Sequence, residues 1–80
     1  MDDQPQFDSL RRTCSARLKQ FMTVAHQTEQ HVKDISLPVD VEALRQCMSK
    51  RQTEYDACHE YLMASQRLAD FLQERVQYIQ

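Results

Sequence analysis

Cys14, Cys47, Cys58, His26, His31 and His59 are the side chains of this sequence best equipped for metal or nucleophile chemistry, and their spacing limits that chemistry. Two ligands share one face of a helix when they stand three or four residues apart. His26 and His31 are five apart, Cys58 and His59 are adjacent, and no Cys-x-x-Cys pair occurs. An odd number of cysteines without that spacing reads as reduced thiols filling a core, which fits the cytosol better than a disulfide framework would. Nucleophilic and acid–base catalysis find no better footing. There is no strained nucleophile turn, paired-carboxylate motif or phosphate-cradling loop, and no glycine to give such loops their backbone freedom. No catalytic, cofactor-binding or metal-ligating residue is assigned, and the chain is expected not to be an enzyme.

Charge gives little direction. The formal charge of −2 and pI near 5.8 exert no general pull toward nucleic acid. The basic run "RRTCSARLK", with Arg11, Arg12, Arg17 and Lys19, reads as one solvated helix face. Its alternative is a coiled-coil regulator that uses the patch to contact nucleic acid or an acidic protein, a reading that salt-dependent binding would reveal. The opening "MDDQPQF" is acidic and lacks the apolar stretch of a secretory signal, and no apolar run approaches the roughly 18 residues needed to span a bilayer. A cytoplasmic location is expected.

Whatever the chain does, helices must position it. Glycine is absent and proline occurs only at Pro5 and Pro38, so the usual punctuators leave one interior break. It lies in "DISLPVDVEAL". Leu37 is steered out of the helical region by Pro38, and Asp40 can accept from the amides that open the next helix. Val39 and Leu44 are placed to form a hydrophobic staple around that cap, and Glu42 suits the positive end of the dipole. The reading is a flexible N-terminus at 1–6, a helix at 7–36, a turn at 37–39 and a helix at 40–80.

Both helices carry a repeat of alternating three- and four-residue steps, the signature of a coiled-coil seam. In the first it runs through Phe7, Arg11, Cys14, Leu18, Phe21, Ala25, Thr28, Val32 and Ile35, widened by Leu10, Met22 and Val24. In the second it is stricter, from Leu44, Met48, Arg51, Tyr55, Cys58 and Leu62 through Ser65, Ala69, Leu72, Val76 and Ile79. Arg51 is expected to snorkel and Ser65 to permit close approach; alternatively the two set register or partner choice. A short loop makes the helices antiparallel. The expected fold is all-α, an antiparallel hairpin with a coiled-coil-like seam in which Phe21 meets the Tyr55 region, Cys14 meets Leu62 and Phe7 meets Ala69.

At about 1.5 Å per residue the first helix would span roughly 45 Å and the second roughly 60 Å, so the end "ADFLQERVQYIQ" projects past the hairpin. Phe71, Leu72, Val76, Tyr78 and Ile79, with Leu68 and Tyr61 outside the strict seam, are the expected partner-binding residues. Met1 to Gln6 folding back over them is the competing arrangement. A hairpin of one layer also leaves Met63, Leu10 and Val24 to be covered. A four-helix bundle of two copies, or docking on a different protein, would do so.

The stretch "LPVDVEALRQCMSKRQTEY", followed by "ASQRLADFLQERVQYIQ", resembles the second half of a needle subunit of bacterial type III secretion systems: a Pro/Asp turn, a Ser-Lys and a Glu-Tyr pair, then a long helix. The likeness covers about half the chain. Val41 stands where that family has a second proline, and three cysteines are atypical of it. In length, layout and acidic charge the chain is similar to the small hairpin co-chaperones that hold needle subunits soluble in the cytoplasm together with a larger helical-repeat chaperone. The resemblance implies a chaperone or adaptor that covers apolar helix surface of a client, forms a homo-oligomer when alone and uses no cofactor. A polymerising needle-like subunit is the alternative.

Overall fold

Asp40 does open a helix. Its carboxylate accepts from the Ala43 N–H at 2.7 Å and its carbonyl from the Leu44 N–H at 3.1 Å. These bonds satisfy amides that would otherwise be orphaned in the first turn. In the computed structural model, which describes residues 2–76, the chain is two helices, α1 (Gln4–Lys33) and α2 (Val41–Val76), packed as an antiparallel hairpin measuring 62 × 19 × 15 Å. No strand occurs among the described residues. Val39 and Leu44, placed for a staple, both remain exposed.

The boundaries differ from expectation at the N-terminus. Residues 4–6, read as part of a flexible arm, are the first turn of α1, where Pro5 needs no N–H partner and is preset for helix. The Phe7 N–H donates to the Asp3 carbonyl at 3.0 Å, and the Gln4 N–H donates to the Asp2 carboxylate at 2.9 Å. At the other end α1 stops at Lys33. The Asp34 N–H donates to the carbonyls of Gln30 and His31 at 3.2 and 3.1 Å, while His31 and Lys33 complement the negative end of the dipole.

Three contacts fix how the helices are matched. Thr28 Oγ1 lies 3.3 Å from the Lys50 carbonyl, the Phe7 and Phe71 rings stack with centroids 6.2 Å apart, and Arg75 Nε donates to the Asp3 carboxylate at 3.0 Å. All three obey one register, in which Phe21 lies level with Ala57 and Cys14 with Ala64. The expected pairings, Phe21 with Tyr55, Cys14 with Leu62 and Phe7 with Ala69, are each off by two positions.

The inner stripe of α2 is also rotated by one residue from expectation. Ala57, Ala64 and Phe71 are buried, and Ala43, Cys47, Glu54, Tyr61, Leu68 and Arg75 are half-buried, an alternation of three and four broken only at Lys50, which is exposed. The bulkier stripe read as the seam lies one position further along: Leu44, Met48, Tyr55, Leu62, Leu72 and Val76 are all exposed. On α1, Thr28 is buried and Phe7, Leu10, Cys14, Phe21, Val24, His31 and Ile35 are half-buried, while Leu18, Met22 and Val32 stay exposed. Small side chains explain the choice. Alanines opposite Phe21 and Cys14 let two lone helices approach until large meets small, whereas Leu and Tyr along the same line would hold them apart.

Candidate functional site

The exposed stripes of the two helices belong to one surface. A two-fold axis perpendicular to the plane of an antiparallel pair exchanges the helices, so residues one step C-terminal to the inner stripe emerge on the same side of both. Ala25 and Val32 of α1 accordingly line a groove together with Arg51 of α2. On the opposite side Gln27 lines a groove with Ser49 and Thr53, each one step N-terminal to the inner stripe.

These two sides differ in chemistry. The second side presents Gln6, Ser9, Thr13, Gln20, Thr23 and Gln27 from α1 and Glu42, Ser49, Thr53, Asp56, Glu60 and Glu74 from α2, with Met63 as its apolar exception. The first presents Leu18, Met22 and Val32 beside Leu44, Met48, Tyr55, Leu62, Leu72 and Val76. Met48, Tyr55 and Leu62 are 64, 61 and 57% exposed, values that leave most of each side chain in water. Isolated apolar residues on a surface are ordinary, but here they gather on one side of the hairpin, crossed by Glu29 and Arg51.

The residues expected to bind a partner divide between this face and the interior. Leu72 and Val76 lie on the face, as expected. Tyr61 and Leu68 are half-buried on the inner stripe. Phe71 is a correction: it is 7% exposed and stacked on Phe7, because the register is shifted by two positions and brings Phe7 level with it. Tyr78 and Ile79 lie outside the described residues. The expectation that nothing after Asp70 has an intrachain partner fails also because α1 begins at Gln4 and carries Asp3 level with Arg75. Arg75 spans Phe71, with its guanidinium carbon 3.6 Å from the ring centroid, and binds Asp3; Arg11 lies over Phe7 at 5.5 Å. This arginine–ring–ring–arginine cluster closes the open end of the hairpin. The Asp3 hydrogen bond raises the Arg75 pKa against the opposing effect of burial, so the guanidinium stays charged.

The remaining candidates are dispersed. Cys14 and Cys47 sit on the inner stripes and Cys58 on the apolar face; all three are free and half-buried, which exchanges the positions expected for Cys47 and Cys58. Among the described residues no three of His, Cys, Asp and Glu gather to hold a metal ion. His31 Nε2 is buried without a hydrogen-bond partner, level with Cys47. Arg11, Arg12, Arg17 and Lys19 follow one another by one, five and two residues, which scatters them around the helix, and Arg11 and Arg17 are engaged by Asp8 and Gln20. No helix among the described residues is long and apolar enough to cross a membrane. No family model, curated protein or solved structure matches the chain.

Proposed function

We propose that the chain is a non-enzymatic protein-interaction module whose apolar face covers helical apolar surface on another protein. The observation that carries this is the division of the hairpin into one polar and one apolar side, the apolar one running from Leu44 and Val32 near the turn to Leu72 and Val76 near the open end. A polymer or aggregate-prone helix offers the complementary surface, and burying it removes apolar area from water for both partners. In line with the likeness in length, layout and acidic charge to the small hairpin co-chaperones, the proposed client is a needle-type subunit of a type III secretion apparatus, held in the cytoplasm as a chaperone or adaptor would hold it.

The test is Leu62→Asp, at the centre of the face and away from the inner stripe. A buried leucine contributes about 1.5 to 3 kcal/mol, so affinity for helical subunits encoded beside this gene should fall roughly ten- to a hundredfold by calorimetric titration, with the helical circular dichroism retained. Unchanged affinity would show that the face is not the docking surface.

A further inference from the structure

We propose that, in the absence of a client, the apolar face is covered by a second copy of this chain, packed antiparallel about a two-fold axis at the level of Cys58 on α2 and Gln20 on α1. This rests on reading that face as an interface and adds its occupant and geometry.

Three observations carry it. The first is area. The nine exposed apolar side chains of the face run from Leu44 and Val32 to Leu72 and Val76 along a body 62 Å long and 19 Å wide, which has room for the ~800 Å² that each partner gives to a standard stable interface. Two such layers make a four-helix bundle, and helices of a bundle show two adjacent apolar stripes, one for each neighbour, as α1 and α2 do.

The second is apolar register. The intrachain contacts of Thr28 with Lys50 and Phe7 with Phe71 place residue 20 level with residue 58. A two-fold axis at that level lays α1 on α1 and α2 on α2, each antiparallel to its copy. Leu44 then falls opposite Leu72 of the second copy, Leu18 opposite Met22, Tyr55 within one position of Leu62, and Cys58 opposite itself. Arg51, the basic interruption of the stripe, meets Ser65.

The third is charge. Arg11 and Glu29, two of the three charged residues of this face on α1, fall opposite each other, twice by symmetry. Each is exposed and paired within its own helix, with Asp8 at 3.2 Å and Lys33 at 3.3 Å, so both are held at the surface where a second copy would meet them. In this packing Asp8 comes opposite Val32 with Lys33 beside it.

The full-length protein, with its natural cysteines, should sediment as a dimer at high-micromolar concentration. A short bismaleimide should link it through Cys58 to Cys58, as read by mass spectrometry of the peptides. Leu44→Cys and Leu72→Cys chains, when mixed, should cross-link to each other through the new thiols rather than each to itself. Glu29→Arg should weaken the dimer roughly tenfold, and the double reversal with Arg11→Glu, its helical circular dichroism retained, should restore it. A helical monomer at that concentration overturns the proposal, as does like-with-like linking of Leu44→Cys chains or a double reversal that fails to restore. A monomer whose client binding is still lost in Leu62→Asp removes the second copy and leaves the docking reading standing.

Discussion

Phe71 is the largest buried side chain among the described residues and the residue whose role changed most between sequence and structure. Stacked on Phe7 and covered by the Arg75 guanidinium, it joins the first turns of α1 to the last turns of α2, where a two-helix protein would otherwise fray. Removing a buried phenylalanine costs about 3 to 5 kcal/mol, as much as one small core supplies. Phe71→Ala should therefore lose most of its helical circular dichroism at 25 °C when dilute, whereas Phe71→Leu should retain it. An Ala variant melting with the parent would mean that the ring pair is ornamental. The raised Arg75 pKa adds no pH dependence in the ordinary range. A group whose folded pKa is raised contributes stability that is present below its unfolded value and lost only as pH rises through the folded one, here strongly alkaline.

At the scale of the element, α2 carries two parallel stripes of the same period, and their bulk decides which faces α1. Ala57 and Ala64 lie level with Phe21 and Cys14, so the interhelical gap is filled by large side chains from one helix against small ones from the other. Thr28, 2% exposed, adds a polar pin, with its hydroxyl 3.1 Å from the Val24 carbonyl and 3.3 Å from that of Lys50. A larger residue at Ala64 has no space to enter. Ala64→Leu should destabilise the hairpin by about 1 to 3 kcal/mol in urea unfolding, although leucine is an equally good helix former. A variant as stable as the parent would place the bulky stripe, not the small one, between the helices.

For the whole molecule the decisive quantity is how little is buried. Three apolar side chains, Ala57, Ala64 and Phe71, are buried among the described residues, while nine large ones line the exposed face. A single layer with so thin an interior is expected to draw stability from association, which makes its melting temperature depend on protein concentration. The midpoint should rise by several degrees over a hundredfold increase in concentration, measured by calorimetry or circular dichroism. A concentration-independent midpoint with full helicity would mean that the hairpin is self-sufficient and its face is reserved for another protein.

The sequence by itself determined the all-α hairpin. Without glycine and with a lone interior Pro38 followed by Asp40, local backbone sterics and capping permit little else, and these act within a few residues. It also marked Leu72 and Val76 as uncovered. The tertiary structure decided which of two equally periodic stripes turns inward, because periodicity fixes the spacing of a face but not its neighbour; the fit of Phe21 over Ala57 does. It also decided that α1 reaches Phe71 and Arg75, since the Asp3 ion pair and the Phe7 stack join residues far apart in the chain. The apolar face was legible as a pattern and misplaced as a seam, because only packed helices reveal which apolar stripe is left facing water.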